Sequence, residues 1–181
     1  MSLKSAPDQY GMVAVAIHWF SALLMVALIG SGFRAAEMED AAAKAAVLRV
    51  HIPIGVTILL LTLTRLGWWL FVDNKPASVP MPSWQHVASR VVHILFYVLI
   101  LGTAASGIGT MILSGAGPII FGGELVTTLP DFFDYPPRRS HEIGAGAIVA
   151  LLVLHAGAVL YHQLFKQDQL LQRMWFEERQ R

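Results

Sequence analysis

Four apolar stretches, each long enough to cross a membrane as a helix, dominate this sequence and limit what it can fold into. A helix needs about 20 mostly apolar residues to cross the hydrocarbon core of a bilayer. The stretches cover residues 11–33, 50–72, 87–113 and 141–165. Because backbone polar groups in lipid must be satisfied internally, they predict an all-α integral membrane protein. We expect a four-helix bundle in a single domain that covers residues 1–181.

The composition supports a membrane location and narrows the chemistry. Hydrophobic residues make up 55% of the chain and charged residues only 14%, whereas soluble domains carry about 25% charged residues. The net charge of +1 gives no indication of a nucleic-acid partner. The chain has no cysteine, which excludes disulfides, iron–sulfur clusters, thiolate zinc sites and covalently attached c-type haem. Its seven histidines remain as the available metal ligands.

The connectors between the apolar stretches differ in character. Residues 34–49 are alanine-rich and charged, which indicates a short interfacial helix, and the prolines of residues 73–85 indicate an extended link. Residues 115–140 form the longest connector, and a loop of that length in a small protein is usually functional or packed as a cap. The first stretch is longer than the core of a cleaved signal peptide and carries His18, so we expect it to be retained.

Basic residues near the helix ends predict the orientation of the chain. With the N-terminus inside, eight lysines and arginines fall on the inner side and five on the outer side. The inner ones are Lys4, Arg65, Lys75, Arg90, Lys166, Arg173, Arg179 and Arg181, and the outer ones are Arg34, Lys44, Arg49, Arg138 and Arg139. This modest excess predicts a multi-pass protein with both termini in the cytoplasm.

Four histidines are expected inside the spans, at two depths. An ionisable side chain inside a span is costly and is therefore functional by default. His141 and His155 are 14 residues apart, nearly four helical turns, so they share one face of the fourth helix about 21 Å apart. His51 matches the outer depth of His141, and His18 matches the inner depth of His155. Two histidines at each depth predict two separate bis-histidine iron sites.

Paired ligands at separate depths indicate haem rather than zinc. A structural zinc site needs four ligands close together, whereas a haem iron needs only two axial ligands, and its ring fills apolar space between helices. Because two histidines leave no open iron position, electron transfer is favoured over oxygen binding. We therefore predict two b-type haems. The alternative is that the histidines hydrogen-bond across the bundle of a protein without redox function.

The remaining polar side chains of the inner side have more than one interpretation. His93 and His162 have no obvious partner at their depth on another span. They suit a polar site at the inner surface, such as a quinone head-group site or a proton path, or they face lipid head groups. His86 is expected at the interface. Arg65 and Arg90 are equally suited to pairing with haem propionates and to reaching lipid head groups.

Short motifs around these histidines resemble the bacterial cytochrome b561 family over nearly the whole chain. The matching pieces are Ile17-His18-Trp19, His51-Ile52-Pro53-Ile54-Gly55, Arg90 to Tyr97, Ser140-His141-Glu142, Leu154-His155, Tyr161-His162 and the tail from Lys166 to Met174. The resemblance implies a di-haem protein of the bacterial inner membrane. More narrowly, the chain is similar to the superoxide oxidases of that family, which take electrons from superoxide at the periplasmic face and reduce ubiquinone.

The same resemblance implies roles for individual residues. His51 and His141 would hold the iron of the outer haem. His18 and His155 would hold the iron of the inner haem. His162 would lie at the quinone site.

Charge does not decide what donates the electrons. Superoxide is an anion, and the outer side carries acidic as well as basic residues, so only a local cluster such as Arg138 and Arg139 beside His141 would attract it. Three functions stay open: a superoxide:ubiquinone oxidoreductase, a di-haem subunit that relays electrons between a dehydrogenase or hydrogenase partner and quinone, and a non-redox bundle. The expected partners are membrane lipid, quinone, and superoxide or another small electron donor.

Overall fold

The computed structural model describes residues 2–168 and 170–176, and these residues form helices and loops without any strand. The long helices are α1 (Met12–Glu37), α2 (Ala41–Gly67), α3 (Ser83–Ser114) and α5 (Pro136–Tyr161), and the short helix α4 is Ala116–Phe121. Helix α2 continues as a π-helical turn over Trp68–Val72, and α5 continues as one over His162–Lys166. Short 3-10 turns cover Phe132–Asp134 and Gln172–Met174.

Four helices of the described chain are long and apolar enough to cross a membrane. With their π-helical turns they cover residues 12–37, 41–72, 83–114 and 136–166. Three of them contain a predicted apolar stretch, and the first begins one residue after its predicted stretch of 11–33. The prediction of an all-α membrane protein with four spanning helices is confirmed. Below, the inner face is the end of the bundle where α1 begins, and the outer face is the end where α1 finishes. Two basic residues used for the predicted orientation, Arg179 and Arg181, lie outside the described residues.

The first connector is much shorter than predicted. We expected a separate interfacial helix within residues 34–49, but α1 continues to Glu37 and α2 begins at Ala41. The carboxylate of Asp40 accepts a hydrogen bond of 2.7 Å from the backbone N–H of Ala43 and so caps α2. Because alanine has the highest helix propensity, the run after this cap forms the first turns of α2 rather than a helix of its own.

The spanning helices associate mainly in two pairs. Helix α1 packs along α2, and α3 packs along α5, while α2 and α3 make a smaller contact. Gly144 of α5 lies so close to α3 that a Cβ there would clash with the hydroxyl of Thr103. This glycine therefore sets the close approach of the second pair.

A buried apolar layer lies between the two levels of histidines. Met25, Ile58 and Ile148 form one cluster, and their side chains are 7%, 2% and 5% exposed. Each lies seven residues, or about two helical turns, from a histidine on its own helix. The layer therefore occupies the middle of the bundle, and it separates the outer histidines from the inner ones.

The longest connector packs as a cap on the outer face, in line with what its length predicts. Ala116 and Ile120 of α4 are fully buried against Ala45 of α2. Arg49 of α2 donates a hydrogen bond of 2.6 Å from Nε to the carbonyl oxygen of Ile120. Helix α4 is thereby fixed to the beginning of α2, above the level of His51.

A second cap closes the inner face and joins three distant segments of the chain. The buried guanidinium of Arg173 donates to the carbonyl oxygens of Asp8 at 2.9 Å, Pro7 at 3.4 Å and Ala77 at 2.7 Å. Trp19 of α1 donates from Nε1 to the carbonyl oxygen of Met174 at 2.6 Å. Residues 170–176 therefore fold back over the start of α1 and over the connector between α2 and α3.

The carboxylate of Asp73 holds the other side of this inner cap. It accepts hydrogen bonds from the backbone N–H and hydroxyl of Ser5, from Nε1 of Trp68 and from the backbone N–H of Asn74. Desolvation acts to raise the pKa of this carboxyl group, but the hydrogen bonds outweigh it and hold the pKa of Asp73 below its usual value. Asp73 therefore stays ionised at neutral pH.

Candidate functional site

At the outer level of the bundle, His51 of α2 faces His141 of α5. Their ring centres lie 6.2 Å apart, and the ring planes are inclined by 66°. Both side chains are half-buried between the helices. The bundle thus brings two imidazoles from different helices to one depth.

Hydrogen bonds at Nδ1 determine the tautomers of both outer histidines. Nδ1 of His141 lies 2.9 Å from the carbonyl oxygen of Thr103, which can only accept, so this nitrogen carries the proton. Nδ1 of His51 lies 3.0 Å from the hydroxyl oxygen of Ser31. That hydroxyl donates its own proton to the carbonyl oxygen of Leu28, so it accepts from His51. Each Nε2 therefore keeps a lone pair that can bind a metal ion, with the orienting partner at Nδ1 that metal-ligating histidines usually have.

Two glycines bring neighbouring helices close to these rings. A Cβ at Gly32 of α1 would lie 3.1 Å from Cε1 of His51. A Cβ at Gly107 of α3 would lie 3.0 Å from Cε1 of His141 and 3.1 Å from its Nδ1. Larger side chains at either position would push the rings out of place. All four spanning helices therefore contribute to the outer level.

At the inner level, His18 of α1 faces His155 of α5. Their ring centres lie 6.3 Å apart, and the ring planes are inclined by 67°. The geometry of the two levels is therefore almost the same. At the inner level, the charged side chain of Arg65 in α2 also contacts one of the histidines.

Arg65 lies against the inner pair and has an unused donor. Its Nη1 is 3.2 Å from Nδ1 of His18, and because a guanidinium only donates, this nitrogen of His18 accepts. Nε of Arg65 is buried and has no hydrogen-bond partner among the described residues. An orphaned buried donor of this kind fits an anionic group that would lie beside the inner pair, such as a haem propionate.

His93 does have a neighbour at its depth, contrary to our expectation. Its ring centre lies 5.7 Å from that of His155, and its Nδ1 donates to the carbonyl oxygen of Ser89 at 2.6 Å. Phe96 packs against the same ring of His155, with the centres 5.6 Å apart. Helix counting placed His93 near the inner surface but could not show which face of α3 meets α5. The structure therefore adds His93 to the surroundings of the inner pair.

The other polar residues singled out from the sequence lie at the inner face. His162 begins the π-helical turn after α5, and its Nδ1 contacts a carboxylate oxygen of Asp168. Arg90 is exposed on α3. His86 lies in the first turn of α3. These residues are not gathered into one cluster with the inner pair.

The spacing of both pairs fits an iron atom between the rings. A histidine nitrogen binds a metal ion at about 2.0–2.1 Å, and its ring centre lies about 1.1 Å behind it, so two axial imidazoles have centres about 6.3 Å apart. The two observed separations of 6.2 Å and 6.3 Å match this value. Among the described residues, no three metal-binding side chains lie together as a closed metal site would need. The donor sets therefore fit bis-histidine haem sites better than zinc.

Sequence reasoning missed the residues that support these histidines. The glycines of the fourth helix differ in their surroundings. Gly144 serves helix packing, whereas a Cβ added at Gly146 or Gly157 of α5 would meet no atom of the described chain within 4 Å, so both positions have open space beside them. The glycines that lie against histidines are Gly32 and Gly107, on other helices. No spacing along a single helix reveals such contacts.

Comparisons with known proteins show which family the chain is similar to. A model of the family described as prokaryotic cytochrome b561 matches residues 9–177. Cytochrome b561 homolog 2 of Escherichia coli (strain K12) is 27% identical over 183 residues, covering 96% of this chain and 95% of that protein. Cytochrome b561 homolog 1 of the same strain is 25% identical over 92% of this chain and 97% of that protein. The probable superoxide oxidase CybB of Yersinia pestis is 27% identical over 94% of this chain and 98% of that protein.

Proposed function

Because the chain belongs to the prokaryotic cytochrome b561 family, it is a haem-binding membrane protein of electron transfer, and we propose that it oxidises superoxide and reduces ubiquinone. The observation that carries this proposal is the presence of two histidine pairs of equal geometry at opposite depths. When bound between these pairs, two b-type haems would supply one-electron carriers at both levels of the membrane. The proposal makes the protein an enzyme in its own right.

The proposed ligands of the outer iron are His51 and His141, and those of the inner iron are His18 and His155. At the outer level the histidines are prepared for this role, since their Nδ1 protons are directed to Ser31 and Thr103. These bonds fix the ring orientation and leave Nε2 of each ring available for a metal ion. In the proposal, the outer pair needs no change of tautomer to bind iron.

To bind iron, the inner pair would need a change in the tautomer of His18, and a movement of Arg65 would permit this change. Iron binding through Nε2 of His18 requires the proton to be on Nδ1, where Arg65 now donates. In the proposal, Arg65 would release His18, and its guanidinium would hold a haem propionate. The buried Nε of Arg65, for which the described residues offer no acceptor, supports this role. Arg90 is exposed and suits a lipid head group or a propionate nearer the surface.

On the outer face, Arg138 and Arg139 are the proposed attractors for the superoxide anion. They lie within one turn before His141 at the beginning of α5, and the guanidinium of Arg138 lies 4.6 Å from the ring centre of Phe133. A local positive charge raises the encounter rate of an anion in an ionic-strength-dependent way. The resemblance to a protein named as a probable superoxide oxidase favours this donor.

At the inner face, ubiquinone is the proposed electron acceptor. His162 lies there, near the end of the fourth spanning helix, and its imidazole is within reach of a quinone head group in the membrane interface. With both termini in the cytoplasm of a bacterial cell, superoxide would react on the periplasmic side and quinone on the cytoplasmic side. The excess of basic residues on the inner side supports this orientation.

A second function is favoured by the acidic residues of the outer side. Carboxylates repel a superoxide anion but suit a docked protein partner with a basic surface. They are Glu37, Glu39, Asp40, Glu124, Asp131, Asp134 and Glu142. In this alternative, the chain is the membrane subunit that relays electrons between a dehydrogenase or hydrogenase partner and quinone.

Superoxide itself distinguishes the two functions. We would add superoxide to the purified, haem-loaded protein in lipid nanodiscs and follow the haem absorbance, with superoxide dismutase as the control. The proposal expects rapid reduction that dismutase abolishes and that added ubiquinone reverses. A protein that dithionite reduces but superoxide does not would contradict the oxidase and favour the relay subunit.

A further inference from the structure

The chain turns back on itself where the fourth spanning helix ends, and this turn joins a histidine to a carboxylate. The π-helical turn His162–Lys166 ends at Gln167, whose φ of 53° is left-handed. Because the chain reverses there, the side chain of Asp168 lies against the ring of His162. Oδ2 of Asp168 contacts Nδ1 of His162 directly.

Both oxygens of the Asp168 carboxylate are in use. Oδ1 accepts a hydrogen bond of 3.3 Å from the backbone N–H of Leu170, while Oδ2 accepts from His162. Since an ionised carboxylate only accepts, Nδ1 of His162 must carry a proton. The second ring nitrogen, Nε2, is left for another partner. When it is also protonated, the histidine is an imidazolium held by a carboxylate.

The pair is placed between the membrane interior and water. The side chains of His162 and Asp168 are 12% and 20% exposed, so both are mostly buried but still reach solvent. His162 lies in the last turn of the fourth span, and Asp168 follows the end of that span at the inner face. A proton lost from His162 toward the membrane can therefore be replaced from the aqueous side.

We propose that His162 donates a proton to the reduced quinone through Nε2 and that Asp168 is the positioning residue that keeps Nδ1 protonated. This inference rests on the proposed function. Two superoxide anions supply two electrons and become two molecules of oxygen. The quinone takes up these electrons and two protons to become a hydroquinone. For each proton passed through the pair, the Nε2–H bond breaks, an O–H bond forms on the quinone, and water replaces the proton on Nε2.

The other histidines of the inner half are less suited to this task. His18 and His155 are the proposed iron ligands. Nδ1 of His93 is directed to a backbone carbonyl, that of Ser89, rather than to a carboxylate. Only a carboxylate stabilises an imidazolium as a charged partner. His86, in the first turn of α3, has no carboxylate partner among the described residues. In the described chain, His162 is therefore the inner histidine that a carboxylate orients for donating a proton.

A purely structural role for Asp168 makes a different prediction for one substitution. An asparagine at this position can still accept from the backbone N–H of Leu170 and preserve the turn, but it removes the negative charge. If Asp168 only shapes the turn, Asp168→Asn should behave as wild type. If it positions a proton donor, Asp168→Asn should fail and Asp168→Glu should restore part of the function.

The test uses haem-loaded protein in nanodiscs, reduced with dithionite, and follows haem oxidation after rapid mixing with ubiquinone-1. We expect Asp168→Asn to slow this step by about 10²-fold, the lower end of what general acid catalysis contributes. Asp168→Glu should recover at least part of that loss. Haem content and the rate of haem reduction by superoxide should stay at their wild-type values, since neither needs the pair. Asp73→Asn, which changes another carboxylate of the inner face, is the matched control and should leave the oxidation rate unchanged.

Two results would overturn the proposal. They differ in whether they also refute quinone as the electron acceptor. Asp168→Asn oxidised by ubiquinone-1 at the wild-type rate would refute the role of the pair and leave the proposed function intact. Wild-type protein that ubiquinone-1 does not oxidise would refute quinone as the acceptor and the proton donor with it. If Asp168→Asn does not fold, His162→Gln provides the second variant, and a wild-type oxidation rate there would also refute the proposal.

Discussion

The imidazole rings of His51 and His141 face each other with their centres 6.2 Å apart, although they belong to helices α2 and α5, which are far apart in the sequence. His18 and His155 repeat this relationship at 6.3 Å near the inner face. A layer of Met25, Ile58 and Ile148 lies between the two levels. The bundle therefore presents two similar sites on opposite sides of an apolar barrier, which is what a carrier of electrons across a membrane requires.

Substitution of any proposed ligand should remove one haem and spare the other. His51→Ala and His141→Ala should both lack the outer haem, because an iron that loses one axial histidine loses its place between the helices. His18→Ala and His155→Ala should both lack the inner haem. Redox titration monitored by absorbance would identify the missing haem from its midpoint potential. Variants of one pair that lose different haems would contradict the pairing.

His93→Leu should keep both haems, although His93 lies next to the inner pair. Its ring contacts His155, but in the proposal the inner iron already has two histidines. The haem content of the purified variant is the measurement, with His155→Ala as the comparison that loses a haem. Loss of one haem from His93→Leu would show that this residue is a ligand and that the inner pair is assigned wrongly.

Gly107→Ala should disturb the outer site specifically. The added Cβ would lie 3.0 Å from Cε1 of His141, so the ring must move. Gly102 of the same helix is the matched control, because a Cβ there meets no atom of the described chain within 4 Å. Alanine favours a helix by about 0.5–1 kcal/mol over glycine, so Gly102→Ala should fold at least as well as wild type. We expect Gly107→Ala, but not Gly102→Ala, to shift the midpoint potential of the outer haem or lower its occupancy. If both variants keep the wild-type potential and occupancy, the contact between residue 107 and His141 does not matter for the outer site.

Asp73→Asn should weaken the inner cap and remove part of the acid sensitivity of the protein. Hydrogen bonds hold the folded-state pKa of Asp73 below its unfolded value of about 3.9. Its stabilisation is therefore present above about pH 4 and is lost as pH falls through the folded-state pKa. At neutral pH, we expect the substitution to cost about 1–3 kcal/mol, because donors in the cap lose a charged acceptor.

Denaturant unfolding of the detergent-solubilised protein between about pH 3 and pH 7 would check this prediction. The difference in the free energy of unfolding between wild type and Asp73→Asn should shrink as pH falls below about 4. A difference that stays constant over this range would show that the charge of Asp73 does not contribute.

The level of each histidine could be predicted from the sequence, but its surroundings could not. Helical spacing alone placed His141 and His155 on one face, and counting from the span ends gave His18 and His51 their depths. The contacts of Gly107 with His141 and of Arg65 with His18 depend on the rotation of one helix about its axis relative to another. Four strongly apolar helices have no polar face that would reveal this rotation, since most of their surface faces lipid.

The inner cap was invisible in the sequence for a related reason. Arg173 was counted only as a basic residue for the orientation, yet its side chain is buried and binds carbonyl groups of two distant segments. Backbone carbonyl groups carry no sequence signature. Similarly, the approach of Asp168 to His162 depends on the left-handed conformation of Gln167, which is rare for a residue other than glycine.

The haem content of the purified protein tests the central claim most directly. Protein extracted from bacterial membranes without added haem should contain two b-type haems per polypeptide, with two separate midpoint potentials in a redox titration. A single haem per polypeptide, or a colourless protein, would contradict the account of two iron sites between paired histidines.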